Sequence, residues 1–260
     1  MDLRLTFNEV PVEYDNLRPQ YTDDLFTDII QFSFLDKTKK ALEIGIGTGQ
    51  ATLPFLKTGC KLTAIEIGNK LAQYSREKFS EYEEFKVINQ DFESASLEEN
   101  SYDLIYSASA FHWIPPEIGL PKVYQLLKSG GVFVWFSVQP APSQEQIHNE
   151  LQNVYEDYNH YFKGGKLQFN RHQEALDKQQ YRVNAFKQYG FVEIIDKLYS
   201  GSRSLNASDY ATLCSTYSDH RAIPEEERII FLQKIEDVIN RCGGEFTFTD
   251  TFLLCMGKKP

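Results

Sequence analysis

The residues whose types and spacing point to chemistry lie in the segment ALEIGIGTGQ, residues 41–50. Its first half is an apolar run interrupted only by Glu43, which is typical of a buried strand in a parallel sheet. Three glycines follow at alternate positions, Gly45, Gly47 and Gly49. Glycine lets a ligand approach the backbone closely. A strand, a glycine-rich loop and a helix in this order predict a nucleotide-binding site; a tight turn needed only for packing is the alternative.

Acidic residues follow the next two predicted strands. Glu66 lies at the end of the apolar stretch LTAIEI, and Asp91 comes directly after the strand predicted over 84–88. A carboxylate at the position of Glu66 can accept hydrogen bonds from both hydroxyls of a ribose. A solvated strand end is the alternative for Glu66, and a helix N-cap is the alternative for Asp91.

Composition narrows the function classes. The chain has 260 residues, of which 42% are hydrophobic, so it can bury one large α/β core. Its formal net charge of −10 makes it a poor candidate for wrapping nucleic acid. No apolar run approaches the about 20 residues that span a bilayer, and the N-terminus does not read as a signal peptide.

The four cysteines, Cys60, Cys214, Cys242 and Cys255, match neither a metal site nor a disulfide framework. They favour free thiols in a reducing cytosol. The sequence therefore predicts a cytoplasmic protein without a bound metal.

Strands and helices alternate through the first half of the chain, which predicts a parallel sheet with right-handed crossovers. The strands are expected over 40–44, 61–67, 84–88, 102–106 and 131–138. Residues 141–188 are helical in pattern and rich in aromatic residues, and we expect them to form a cap. Strand character returns over 191–199 and 246–256, with helices predicted over 208–215 and 224–242.

On these motifs the chain resembles the class I S-adenosylmethionine-dependent methyltransferases over residues 14–257. ALEIGIGTGQ is similar to the family's first motif, and Glu66 and Asp91 match its second and third acidic positions. YDLIYSASAFHWI and LLKSGGVFVWF resemble the segments around the fourth and fifth strands. The FHW triplet and the N-terminal YDNLRPQY resemble the branch of trans-aconitate methyltransferase-like (methyltransferase type 11) proteins.

The resemblance implies a Rossmann-like α/β fold. It has a seven-stranded, mostly parallel sheet, an antiparallel last strand, helices on both faces and a helical cap insertion. We divide the chain into an N-terminal segment with the cofactor-binding core (1–140), the cap insertion (141–188) and the C-terminal part of the same sheet domain (189–260).

The resemblance also implies that S-adenosyl-L-methionine is the cofactor. The glycine loop would approach its amino-acid end, with Glu43 holding the loop or orienting the amino group. The remaining cofactor-binding candidates are Arg18 for the carboxylate, Tyr21 in the covering segment, Glu66 for the ribose, Ile67, Asp91 and Phe92 for the adenine, and Ser107 and Ala108 at the end of the fourth strand.

His112 is the catalytic candidate, as a general base or as a group that positions the acceptor. A packed, hydrogen-bonded histidine is an equally good interpretation. The residues expected to face the acceptor are Trp113, Arg203, His220 and Arg221. Salt bridges explain the two arginines equally well.

The predicted function is direct, in-line methyl transfer to a small-molecule acceptor, with carboxylic acids as the first class to test. Holding the nucleophile, the methyl group and the sulfur in line supplies most of the rate acceleration, so no strong base is required. The alternatives are an NAD(P)-dependent oxidoreductase, a protein methyltransferase, and a non-catalytic regulator that binds the cofactor. Gln50 disfavours the oxidoreductase, because the motif GxGxxG needs a glycine three positions after Gly47. The acceptor and the oligomeric state stay open, since one fold serves many functions.

Overall fold

The computed structural model describes residue 15 and residues 17–162 and 171–260. Residues 1–14, 16 and 163–170, which include parts of the predicted N-terminal segment and cap, lie outside this description. Within the described residues, strands form one sheet in the order β3-β2-β1-β4-β5-β7-β6. The strands are β1 Lys40–Ile44, β2 Lys61–Glu66, β3 Phe85–Asn89, β4 Tyr102–Ala108, β5 Leu127–Pro142, β6 Val192–Asn206 and β7 Glu245–Lys258.

β1 to β5 are parallel, and β7 lies antiparallel between β5 and β6. The prediction of a seven-stranded, mostly parallel sheet with an antiparallel last strand is therefore confirmed. The central strands are apolar on both faces because helices cover both faces. The helices are α1 Asp23–Ser33, α2 Thr52–Leu56, α3 Asn69–Lys78, α4 Pro116–Leu126, α5 Glu145–Asp157, α6 His172–Gln188, α7 Ala207–Ser215, α8 Ser218–Arg221 and α9 Glu225–Arg241.

Two apolar clusters hold the helices against the sheet. On one face, residues of α1, α2 and α3 such as Leu25, Phe55 and Ala72 pack together with the strands. On the other face, α4 and α6 contribute Leu120 and Phe186. This two-sided packing leaves the carboxyl edge of the parallel strands as the place where loops meet.

A third apolar cluster lies beyond this edge. Its members come from α5, α7 and α9 and from the outer parts of β6 and β7, and include Leu151, Leu213, Phe231 and Phe246. We call the unit formed by α5, α7, α8 and α9 the cap. None of the helices in the described part of the chain combines the length and the apolar character that a membrane span requires.

The helices of residues 141–188 do not all belong to the cap, although the predicted insertion implied that they would. Its second half, α6, packs on the sheet, where Gln179 donates to the carbonyl of Leu254 and Phe186 is fully buried. The cap instead gains α7 to α9. The reason is that β6 is longer than the predicted 191–199: its pairing with β7 continues to Asn206 opposite Glu245 and carries these helices outward.

Candidate active site

A cavity of about 610 Å³ lies along the carboxyl edge of the sheet. Its size falls within the about 300–1,000 Å³ of small-molecule sites. The loops after β1, β2 and β3 line one end, which we call the loop end. The segment after β4, together with β5, α6 and the cap, lines the other, which we call the cap end; it includes His112, Trp113, Trp135, Arg182, Arg203 and Tyr217.

Glu66 faces the loop end of the cavity. One carboxylate oxygen accepts from the amide of Gly47 at 2.8 Å, and the other accepts from the amide of Gly68 at 2.8 Å. The side chain is 5% exposed, and burial raises the pKa of Glu66 although the two amides oppose the shift. This carboxylate therefore fixes the glycine loop and also presents acceptor capacity to a ligand.

The glycines of the loop have different tasks. Gly47 has φ +57°, and a Cβ there would meet no atom within 4 Å, so this residue opens the cavity. Gly49 has φ +81°, but a Cβ there would lie 2.4 Å from Cε2 of Phe79. Gly45 lines the cavity and approaches Ala110 closely. The packing interpretation therefore applies to Gly49 and the ligand interpretation to Gly47.

We expect the corresponding alanine variants to separate these tasks. Gly47→Ala should destabilise the fold by only about 1–2 kcal/mol, the strain of a left-handed alanine, while weakening cofactor binding. Gly49→Ala adds an overpacking cost of about 1–3 kcal/mol to the same strain. Urea denaturation and calorimetric titration measure the two effects. Equal losses of stability in both variants would contradict the assignment.

Two of the predicted cofactor residues lie behind the cavity wall. Glu43 is 1% exposed, and its Oε2 accepts from Thr52 Oγ1 at 2.8 Å and from Tyr106 Oη at 2.9 Å. Burial raises the pKa of Glu43 to about 8. Ser107 donates to the carbonyl of Ile44 at 2.8 Å. Both residues brace the start of the glycine loop, and neither lines the cavity.

The other predicted residues of the loop end line the cavity: Ile67, Asp91, Phe92 and Ala108. The carboxylate of Asp91 also accepts from the amide of Ser94 at 2.8 Å and from its hydroxyl at 2.5 Å. No helix begins after Asp91 in the described chain, so the N-cap interpretation does not hold: the carboxylate binds Ser94 within a turn, and its position at the cavity keeps the adenine role as a prediction.

The N-terminal residues cross the cavity. Arg18 lines it, and its guanidinium lies 4.8 Å from the ring centre of Tyr217 in the cap. Tyr21 lies one layer deeper, where its hydroxyl is 2.8 Å from Oγ of Ser109, a cavity residue. The predicted covering segment is therefore anchored on both the cap and the sheet.

Two residues predicted to face the acceptor lie elsewhere. His220 is buried in the cap, where Nε2 is 2.8 Å from Tyr155 Oη and Nδ1 is 2.7 Å from Asp219 Oδ1. Burial alone would lower the pKa of His220, but the interactions with Asp219 and Cys214 together outweigh it and raise the pKa to about 9. Arg221, on the same short helix α8, is not part of the cavity wall.

Trp113 and Arg203 do line the cap end. Arg203 Nε donates to Asp250 Oδ2 at 2.8 Å, so the predicted salt bridge is present. Its Nη1 is buried and has no hydrogen-bond partner among the described residues. Asp250 therefore holds one side of this guanidinium, while Nη1 is left without an acceptor among the described residues.

Sequence reasoning missed the contribution of α6. Lys178, Tyr181 and Arg182 line the cavity together. The available signal was their spacing, since residues three and four apart share one face of a helix. The interpretation of 141–188 as a single cap insertion hid this signal.

Arg182 is the most informative of the three. It is 5% exposed and donates to Ser137 Oγ at 2.6 Å and to the carbonyl of Leu253 at 3.2 Å, with its guanidinium 4.9 Å from the Trp135 ring centre. Burial lowers its pKa to about 10, so it stays charged at neutral pH. Among the described residues, no carboxylate forms an ion pair with it.

The charge of Arg182 also acts on His112. Burial, followed by the repulsion from Arg182 and Lys178, lowers the pKa of His112 to about 4. The imidazole at the cavity is therefore neutral at pH 7.

We expect His112 to remain neutral until the pH falls towards 4. Its NMR resonance, assigned with a His112→Asn variant, should stay constant between about pH 5.5 and 8, the range in which an ordinary histidine titrates. Between pH 6.5 and 4 the unfolded chain binds a proton that the folded chain does not, so this group lowers stability as the pH falls through that window. A midpoint near 6.5 would contradict the prediction.

Comparison with known proteins gives a consistent result. A methyltransferase domain model matches residues 42–135, from β1 into β5. A Schizosaccharomyces pombe protein named "uncharacterized methyltransferase" is 24% identical over 90% of this chain and 87% of its own length. A Saccharomyces cerevisiae protein named "probable S-adenosylmethionine-dependent methyltransferase" is 31% identical over 59% of this chain and 53% of its own length.

Solved structures share the fold. A protein described as a type II methyltransferase from Anaeromyxobacter dehalogenans superposes with a TM-score of 0.63 at 17% identity, covering 93% of this chain and 97% of that chain. A phosphoethanolamine N-methyltransferase from Haemonchus contortus, solved with S-adenosylhomocysteine, gives 0.52 at 12% identity over 98% of this chain and 57% of that chain. Taken with the glycine loop and Glu66 at the cavity, these matches support an S-adenosylmethionine-dependent methyltransferase, with the methyltransferase domain model covering residues 42–135 of the 260.

Proposed function

We propose that the enzyme methylates a small carboxylic acid. The observation that carries this proposal is Arg182, a buried guanidinium at the cavity wall without a carboxylate partner among the described residues. An uncompensated buried charge is costly, and a bound anion removes that cost. Arg203 adds a buried, unpaired Nη1 at the same end of the cavity.

The loop end fits S-adenosylmethionine. Gln50 lines this end, and its side-chain nitrogen Nε2 is buried and lacks a hydrogen-bond partner among the described residues. Gly47 leaves the backbone open, and Glu66 offers its carboxylate to a ribose. We propose that these groups, with Arg18, Ile67, Asp91 and Phe92, hold the cofactor, which supplies an electrophilic methyl group on a sulfonium.

The acceptor oxygen then attacks the methyl carbon in line with the carbon–sulfur bond. The new oxygen–carbon bond forms from an oxygen lone pair, and the electrons of the broken bond remain on sulfur, giving a methyl ester. A carboxylate is already ionised at neutral pH, so no base is needed. We propose that neutral His112 positions the acceptor instead of removing a proton, and that Arg182 and Arg203 orient it.

The cavity volume of about 610 Å³ favours a small acceptor over a protein side chain or nucleic acid. Trp113, Trp135 and Tyr217 restrict the cap end, and Arg18 and Pro19 also line the cavity. We also propose a cytoplasmic location, from the free cysteines, and the division of the chain into a cofactor core and a cap.

An acceptor screen tests this function. The purified chain and S-adenosylmethionine are incubated with mono-, di- and tricarboxylic acids, with their amides and with amines of matched size, and S-adenosylhomocysteine formation is measured. We expect turnover with acids and none with the matched amides. Preferred turnover of amines would overturn the proposed acceptor class. Cofactor binding without turnover of any compound would favour the regulatory alternative.

A further inference from the structure

Asp15 and residues 17–21 form a strap across the cavity. Arg18 and Pro19 line the cavity, Leu17 packs against the apolar cluster of the cap, and Tyr21 is anchored next to Ser109. A ligand at the loop end is therefore covered by a segment that is held by side-chain contacts. The contacts that hold the strap thus bear on how fast that ligand leaves.

The first residue of the strap is bound to α3. Both carboxylate oxygens of Asp15 accept from Nζ of Lys78, at 2.6 and 2.9 Å, and Oδ2 also accepts from Tyr74 Oη at 2.9 Å. The Asp15 side chain is only 16% exposed. This contact is a partly desolvated ion pair with an added hydroxyl donor, which is stronger than a fully exposed pair.

The same ammonium reaches the glycine loop. Lys78 Nζ donates to the carbonyl of Thr48 at 2.9 Å, and Thr48 stands between Gly47 and Gly49. Ser75, one turn earlier on α3, donates to the carbonyl of Gly47 at 2.7 Å. One cation thus joins the strap to the loop that faces the cofactor's amino-acid end.

We propose that Lys78 is a positioning residue that closes the strap over the cofactor and sets the rate at which cofactor and product leave. It does not line the cavity and acts through Asp15 and Thr48. When Lys78 releases Asp15, the strap loses its ion pair with α3 and keeps the hydrogen bond from Tyr74 Oη. Because the same Nζ also donates to the carbonyl of Thr48, movement of Lys78 couples opening of the strap to loosening of the glycine loop.

Release of S-adenosylhomocysteine from the full-length protein tests this proposal. In stopped-flow displacement, Lys78→Met and Asp15→Asn should each accelerate release by about three- to tenfold, the range that corresponds to one partly exposed ion pair. The double variant should release no faster than Lys78→Met, because both changes remove the same contact. Added salt should accelerate release from the wild type and have little effect on either variant.

Lys234→Met is the matched control, since Lys234 pairs with Asp157 at 3.2 Å on the surface of the cap. It should leave the release rate unchanged. If Lys78→Met does not fold, Asp15→Asn decides the question, because it keeps the contact of Lys78 with Thr48. Release rates within twofold of the wild type, or effects of the two substitutions that simply add, would overturn the proposal.

Discussion

Glu66→Ala is expected to weaken S-adenosylmethionine binding by at least about 100-fold, while Glu84→Gln leaves it unchanged. Each hydrogen bond to a charged group contributes about 1.5–3 kcal/mol, and this carboxylate is placed to accept two from a ribose. The substitution also removes the acceptors of the Gly47 and Gly68 amides, so the glycine loop loses its anchor on β2. Calorimetric titration of the purified variants measures the effect.

The Glu66→Gln variant tests how much of the binding effect comes from the charge of the side chain and how much from its size. The amide keeps the volume, but its NH₂ group must face one of the two backbone amides, so we expect a loss nearly as large as that of alanine. Glu84 is a suitable control because it is solvent-exposed and pairs with Lys61 at 3.5 Å, away from the cavity. A folded Glu66→Ala protein that binds the cofactor within threefold of the wild type would refute the assignment of this carboxylate.

Arg182→Met is expected to lower kcat/KM for the acceptor by about 100-fold or more and to leave the cofactor Kd unchanged. Truncating one partner of a buried charge pair costs about 2–5 kcal/mol, and here the partner is the bound acceptor. The protein should stay folded, because replacing a buried charge by an apolar side chain of similar size is often neutral for stability. Steady-state kinetics with the best acid from the screen measures the loss.

Lys178→Met is the matched comparison for Arg182. Lys178 lies on the same face of α6, but it is half-exposed and already paired with Glu174 at 2.6 Å, so we expect less than a tenfold loss. The preference for an acid over its amide should largely disappear in Arg182→Met and persist in Lys178→Met. An unchanged preference in Arg182→Met would contradict the proposed acceptor class and leave the cofactor assignment intact.

The residues that meet at the loop end of the cavity could be predicted from the sequence because their signals are local. A buried strand, three glycines and an acidic residue at the next strand end occupy short segments, and parallel pairing brings strand ends together without further information. Glu66, Gly47 and Asp91 accordingly lie at one cavity end. Glu43 was expected to hold the loop, but its partners could not be predicted, since Thr52 depends on how α2 packs and Tyr106 on how β4 pairs with β1.

The cap end of the cavity depends on long-range packing, and there the sequence was less informative. Lys178 and Arg182 reach the cavity only because α6 lies on the sheet, which the helical pattern alone does not indicate. His220 and Arg203 have similar polar character, yet the cap buries the first among aromatic rings and the β6–β7 pairing brings the second to the cavity. Polarity identifies such residues as candidates for the site, and tertiary contacts determine which of them reach the cavity.

The long outer strands have a consequence for how this enzyme diversifies. β5, β6 and β7 have 16, 15 and 14 residues, against five to seven in β1 to β4, and the cap helices attach to their outer ends. The methyltransferase domain model ends at residue 135, before the chain reaches any cap helix. The loop-end residues Gly47, Glu66 and Asp91 lie inside this range, whereas Arg182 and Arg203 come after it, so two relatives can share the first set while differing in the second.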